Sequence, residues 1–233
     1  MFGFLRAFVL LAVVAERGSV GGLGPADVAT YVFVSQGLIA AVGSFNELEL
    51  GERIRTGAVV VDFHRPVDLE RYWLFEDLGR VAYQVAARGL PPLLTGALVF
   101  HLRVPTSALV WAAFLVSVAL AAVVSFALRF VATLTGFWVL DARGAVQLMA
   151  ALSIFFSGFL VPVNFFPTWL ADVAYALPFV AILQLPLDIF LGTTSGAEVL
   201  GVLAVQAAWG IAVLGLGRMV LTRATRKVVV QGG

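Results

Sequence analysis

Lysine, histidine, cysteine and the acidic side chains are the groups from which hydrolytic and metal chemistry is built, and here they are scarce. The single lysine, Lys227, follows Arg226 and precedes Val228, so there is no G-x-x-x-x-G-K-[ST] loop to cradle nucleotide phosphates. The two histidines, His64 and His101, stand alone, without the H-E-x-x-H spacing that sets two imidazoles around one metal. They read as interfacial or loop residues. No G-x-S-x-G elbow occurs, and Gly18-Ser19 reads as a turn. Cysteine is absent, which excludes disulfides, thiolate chemistry and Cys-ligated metals. No catalytic, metal-ligating or cofactor-binding residue is assigned. What remains are three ionisable residues in apolar surroundings, Arg129, Asp172 and Asp188, of the kind that marks ion or proton paths when it lies inside a membrane span. Asp172, in PTWLADV, equally suits a solvated helix position. Asp188, in LPLDIFLG, either lines a cavity or sits at the interface.

The elements that must position these residues are membrane helices. The chain is 61% hydrophobic and 12% charged, with a mean hydropathy of +1.00, against about 45–50% apolar residues in a soluble domain. Uncharged runs of 19 to 28 residues match the roughly 17–25 needed to cross a bilayer. The net charge of +1 gives no basic footprint for nucleic acid. Five apolar segments read as spans: Val28–Phe45, Val81–Phe100, Val104–Leu128, Ala145–Val163 and Val199–Gly217. Of these Val81–Phe100 is the weakest, interrupted by Arg88, which can snorkel, and by Pro91-Pro92. A sixth, Met1–Ala15, covers only about 22 Å as a helix. It is a signal peptide with Arg6 in its n-region, a short first span, or the remainder of a longer one.

Six spans put both termini on one side, and charge decides which. With the termini inside, Arg6, the five arginines from Arg53 to Arg80, Arg88, Arg129, Arg143, Arg218, Arg223, Arg226 and Lys227 lie in the cytoplasm or near that interface, leaving only Arg17 and Arg103 outside. That is the positive-inside pattern. It makes 46–80 cytoplasmic and places 164–195, which has no Lys or Arg, on the outer face. The stretch SIFFSGFLVPVNFFPTWLADVAYALPF, Ser153 to Phe179, carries Pro162, Pro167 and Pro178. Backbone freed by prolines cannot face lipid, so this stretch is expected to re-enter from the outer side and line protein or water. In the alternative, an interfacial aromatic belt with loop prolines, it lines nothing.

Three segments, GFWVLDARGAVQLM, FFSGFLVPVNFFPTWLADVAYALPF and LPLDIFLG, resemble the C-terminal half of ABC-2 type transporter permeases. The likeness lies in Phe137-Trp138, then S-G-x-x-x-P at Ser157, Gly158 and Pro162, F-P at Phe166-Pro167, L-P-F at Leu177 to Phe179, and Pro186, Ile189 and Gly192. The loop IRTGAVVVDFHRPVD is similar to the family's I-x-x-G…R-P segment through Ile54, Gly57, Arg65 and Pro66. The resemblance covers roughly residues 28 to 220. It implies one transmembrane permease domain over 1–233 in a bacterial plasma membrane, with no ATPase site of its own. It implies work as a homodimer or heterodimer of permeases with a separate ABC ATPase subunit that binds the ATP, exporting an amphipathic or hydrophobic compound. The fold expected is an all-α integral membrane protein of about six transmembrane helices, the first short or truncated, with an outer re-entrant element between the fifth and sixth.

The resemblance makes 46–80 the coupling segment, with Arg65, Pro66, Asp68, Arg71, Glu76 and Asp77 as coupling residues. It makes Ser157, Gly158, Pro162, Phe165, Phe166, Pro167, Trp169 and Pro178 an outer gate, in which Phe165, Phe166 and Trp169 form an apolar plug. From the residues alone, a helix starts just after Pro66 with Asp68 and Glu70 in its first turn and Arg80 near its end, as the helix dipole favours. Val67, Leu74, Leu78 and Val81 share a face broken by Arg71. Such a surface suits a partner protein or the membrane surface. An ion-coupled carrier and a non-transporting assembly factor are the competing readings.

Overall fold

The structure, a computed structural model, describes residues 2–42, 48–100, 102–139 and 141–231, with side chains described from Gly3 to Arg226. Phe45, Asn46, Glu47, His101 and the Lys227 side chain, all used in the sequence reading, lie outside the described residues. The order of elements is α1 (Phe2–Arg17), α2 (Pro25–Val42), α3 (Glu49–Arg55), α4 (Val59–Phe63), α5 (Leu69–Gln84), a π turn (Val85–Gly89), α6 (Leu90–Val99) and α7 (Ala108–Leu134). There follow α8 (Gly136–Val139), α9 (Arg143–Phe156), a 3₁₀ turn (Val163–Phe165), α10 (Thr168–Tyr175), a second 3₁₀ turn (Pro178–Ile182), α11 (Gln184–Leu191) and α12 (Glu198–Gln231). The described residues hold no strand, and the protein is an all-α membrane protein.

Among the described residues three helical stretches, Pro25–Val42, Ala108–Val139 and Glu198–Arg226, are long and apolar enough to cross a bilayer unaided. α9 is apolar but has 14 residues, and α1 has 16, against the roughly 20 that a perpendicular span needs. Burial orders the three long ones. The most apolar window of α2 is 72% buried, that of α7 44% and that of α12 17%, so α2 is enclosed by protein while α12 faces the surroundings. α7 changes along its length. Only one face, with Phe114, Ser117, Val118 and Ala121, is buried in its first half, whereas from Val124 to Leu134 nearly every side chain is enclosed.

α1 belongs to this bundle. Ala7 and Val14 are fully buried with Tyr31 and Val32 of α2 in one apolar cluster, and Phe4 meets the Phe33 ring edge-on at 5.3 Å. The Val81–Phe100 region differs from expectation, because Pro91-Pro92 does not interrupt the helix. α5 runs through the π turn directly into α6. The wider π turn sits just before the two residues that lack an N–H and whose rings crowd the preceding turn. It also lets Gly89 approach Gly37 so closely that a Cβ on Gly37 would lie 2.8 Å from the Gly89 carbonyl oxygen. Small residues allow such contact between helix backbones in a membrane.

The loops gather at two ends. At one, Asn164 Nδ2 donates to the Gly21 carbonyl at 3.5 Å and Arg103 pairs with Asp27 at 2.9 Å. At the other, Arg218 pairs with Asp68 at 3.0 Å, and Gly136 lies beside Ile54. The segments that the sequence assigns to the outer face thus share one end, and those assigned to the cytoplasm share the other.

Candidate functional site

At the end that holds 157–191, the chain breaks inside the bundle. α9 stops at Phe156, seven residues before the expected end of its span at Val163, and Gly158, not Pro162, makes the break. Gly158 takes φ +86°, the left-handed cap that ends helices. A Cβ there would also lie 2.4 Å from Tyr31 Oη and 2.6 Å from Gln184 Oε1, so no other residue fits. Pro162 continues in extended backbone, Pro167 caps α10 and Pro178 opens the second 3₁₀ turn. Pro186 sits in the first turn of α11, where its missing N–H has no partner to lose.

Side chains take up the freed backbone groups. Arg6 of α1, 5% exposed, donates from Nε to the Leu160 carbonyl at 3.1 Å, from Nη2 to the Gly158 carbonyl at 3.4 Å and from Nη1 to Ser35 Oγ at 2.7 Å. Its guanidinium also lies 5.0 Å from the Phe159 ring centroid. Tyr31 Oη lies 2.8 Å from the Gly158 carbonyl and 2.7 Å from Gln184 Oε1. Gln184 Oε1 accepts from the Val163 amide at 3.0 Å, and its Nε2 donates to Asn164 Oδ1 and Asp188 Oδ1. Asp188 is buried and also accepts from Thr193 Oγ1 at 3.2 Å. Gln206 of α12 reaches the Ala181 carbonyl at 2.8 Å and exchanges bonds with Ser117 of α7. Arg6 therefore does not lie at the cytoplasmic interface, as charge counting has it. It lies inside the bundle, because only there can a guanidinium satisfy carbonyls that neither helix nor lipid will bond. Removing it from the cytoplasmic tally leaves the positive-inside bias standing.

Of the outer residues singled out by sequence, Ser157, Gly158 and Pro162 are buried at the break. Phe165 packs with the cluster around Phe33. Phe166 packs with the cluster around Val180 and stacks on Phe155 at 5.6 Å. Trp169 is 67% exposed. The three aromatics do not come together as one plug. Asp172 is an exposed residue of α10.

At the other end, α5 starts where the sequence expects it to. Asp68 is its N-cap and accepts from the Arg71 amide at 3.0 Å. It also holds Arg218 of α12. The inward face differs from expectation: Leu69, Glu70, Trp73, Asp77 and Val81 are buried, while Val67 is exposed. Asp77, 2% exposed, accepts from Arg129 Nη2 of α7 at 2.7 Å and from Arg80 at 2.8 Å. It ties α5 to α7 and does not face a partner. Arg129, a candidate for an ion path, is its counter-charge. Glu70 is buried against Gly217 and Phe130, its Oε1 without a hydrogen-bond partner among the described residues. Burial raises its carboxyl above the usual range, Asp68 adds to this, and Arg218 and Arg71 oppose it.

Pro66, Asp68, Arg71 and Glu76 line an open groove of about 660 Å³ together with Val67, Tyr72 and Phe75. Arg65 is outside it, exposed and 3.7 Å from Asp62. Asp62 is itself buried by a two-pronged bond from Arg53 at 2.6 and 2.7 Å, which fixes α3 to α4. The sequence reading misplaces Arg6 at the cytoplasmic side, gives Asp77 to ATPase coupling, and assigns no role to Tyr31, Gln184 and Gln206. A buried arginine in an apolar helix was the available signal for the first. No curated protein and no solved structure matches the chain. The family model described as ABC-2 family transporter protein matches residues 2–232. The chain, a helical membrane protein broken at Gly158 and braced through Asp77 at the other end, thus belongs to the ABC-2 transporter family.

Proposed function

We propose that this ABC-2 family membrane domain is the permease subunit of an ATP-driven exporter, moving an amphipathic or hydrophobic compound outward while a separate ABC ATPase subunit binds and hydrolyses ATP. Two permease subunits, identical or not, form the path. The end that holds α5 is cytoplasmic in a bacterial plasma membrane, with both termini on that side, and 157–191 closes the outer end.

The groove on α5 carries this reading. Val67, Tyr72 and Phe75 are exposed on a segment whose charge places it outside the bilayer. Large apolar side chains left in water at one spot mark a protein contact. The groove's rim holds Asp68, Arg71 and Glu76. Helices that lie on membranes carry an excess of Lys and Arg, so this mixed rim suits a protein. Behind it, Asp77 with Arg129 and Asp68 with Arg218 connect α5 to α7 and α12, so a push on the groove reaches two long helices. An ion-coupled carrier is disfavoured, because Arg6 is engaged by backbone carbonyls, Arg129 by the counter-charge of Asp77, and the Asp188 carboxylate by the Gln184 amide and the Thr193 hydroxyl. The test is purification of the tagged chain in mild detergent from its own cells, followed by mass spectrometry of what stays bound. A Walker-motif ATPase in stoichiometric amount is expected. Its absence, with the chain folded, would overturn the reading.

A further inference from the structure

α7 and α12 run side by side from the outer end. They are close where α12 offers glycine: a Cβ on Gly210 would lie 3.4 Å from Val123, and one on Gly217 3.0 Å from Phe130. In the outer half they part. Between them and the α11–α12 turn lies a crevice of about 470 Å³, with Val110, Ala113, Val116, Ile189 and Leu203 among the apolar side chains of its wall. At its mouth Leu109 and Leu200 are 79% and 71% exposed, so it opens toward lipid. Val110 and Gly192 also belong to a second hollow of about 360 Å³, where Arg103, Thr106 and Ser107 stand. The two adjoin across these shared wall residues, the crevice apolar and the hollow beside it bearing Arg103. Trp111 stands at that hollow, its ring against Phe190 and its Nε1 donating to the Pro105 carbonyl.

We propose that this crevice takes the acyl chain of a phosphate-bearing lipid whose head group meets Arg103. The size lies within the roughly 300–1,000 Å³ of small-molecule sites, and an apolar slot this close to the bilayer is filled by hydrocarbon, not water. A partner helix would match the apolar wall but would leave the Arg103 hollow empty. An amphipath fills both. Arg103 spends one guanidinium nitrogen on Asp27 and is exposed; its other guanidinium N–H groups have no partner among the described residues and can meet a phosphate, which a guanidinium binds through paired bonds. The site is independent of the reading of α5, because occupancy needs neither ATP nor an ATPase.

The experiment uses the full chain in nanodiscs with two photoactivatable probes that carry a diazirine on the acyl chain, phosphatidylglycerol and diacylglycerol. Phosphatidylglycerol is expected to label peptides from 109–116 and 194–203 above the other helices, and diacylglycerol to do so less. Ala112→Trp, at an exposed position lining the crevice, should abolish that labelling, with Ser195→Trp as the second filling variant. Ala119→Trp, exposed on α7 outside the crevice, should not. Arg103→Gln should bring phosphatidylglycerol down to the diacylglycerol level. Even labelling over all lipid-facing helices, unchanged by both filling variants, would overturn the proposal. So would a disulfide between two copies of Leu200→Cys that blocks labelling, since a second copy would then cover the crevice. If labelling behaves as expected, ATPase activity of the complex separates the sources. Stimulation by added phosphatidylglycerol that is lost in Ala112→Trp identifies a transported lipid, and unchanged activity identifies a resident one.

Discussion

Gly158 carries two constraints at once: a left-handed backbone and the space that Tyr31 Oη and Gln184 Oε1 occupy above it. Gly158→Ala should therefore destabilise by more than the 1–3 kcal/mol or so of a strained residue alone, and Gly158→Ala combined with Tyr31→Phe should recover part of the loss by removing the nearer atom. Thermal unfolding in detergent checks both. Arg6→Leu removes three bonds, takes the side-chain donor from the Leu160 carbonyl and leaves the Gly158 carbonyl to Tyr31 Oη alone, so a loss of about 2 kcal/mol is expected. Glu70 gives a pH signature. Its folded carboxyl is raised, so the folded state holds its proton to higher pH than the unfolded chain does. Its contribution is favourable below the unfolded value and is lost as pH rises through the folded one. Glu70→Gln should thus raise the melting temperature at neutral pH, with the gain shrinking as pH drops into the ordinary carboxylate range. A gain that grows on acidification would contradict the assignment.

At the scale of elements, the Asp77–Arg129 pair joins α5 to α7 with both side chains out of solvent. Breaking a buried pair from one side leaves an uncompensated charge and costs about 3–5 kcal/mol, whereas replacing both groups with apolar ones is often neutral. Asp77→Leu, which leaves Arg129 buried without its counter-charge, should destabilise strongly; Arg129→Met, which leaves Asp77 paired with Arg80, should cost less, and the double variant should recover most of the Asp77→Leu loss. If the double variant is as poor as the worse single, the pair is not the brace. This pair also shows where the sequence was legible. The start of α5 could be read because Pro66 and Asp68 are local signals that act within a turn. Its inward face could not, because Asp77 counts as polar until its partner, 52 residues on, is known. In the same way Pro162 draws attention as a breaker, but Gly158 ends α9 through a conformation that leaves no periodic trace. Arg6 bonds carbonyls 152 and 154 residues away, so local charge counting sends it to the wrong place. The π turn that carries α5 past Pro91-Pro92 lies where Gly89 meets Gly37 of α2, a contact that no local rule contains.

For the whole molecule, the two sets of loops lie at opposite ends, and the absence of cysteine makes their sidedness measurable. Single cysteines at Thr168 and Asp172 should react with a membrane-impermeant thiol reagent from outside the cell, and cysteines at Thr56 and Asp68 should not. Labelling of Thr168→Cys from the cytoplasmic side alone would invert the orientation and remove α5 from any cytoplasmic ATPase. The chain purified free of other subunits should hydrolyse no ATP, because it has no lysine in a phosphate loop. If α5 transmits force, the groove's charges matter and its depth holds. Arg71 and Glu76 are exposed on the rim, so reversing them should leave folding and membrane insertion intact while misaligning the partner. The most direct test is the ATPase rate of the purified permease–ATPase complex in nanodiscs, with Arg71→Glu and Glu76→Lys compared with the unaltered chain. The account predicts that both variants insert normally and lose coupled activity down to that of the isolated ATPase. Full coupled activity in both variants would contradict it.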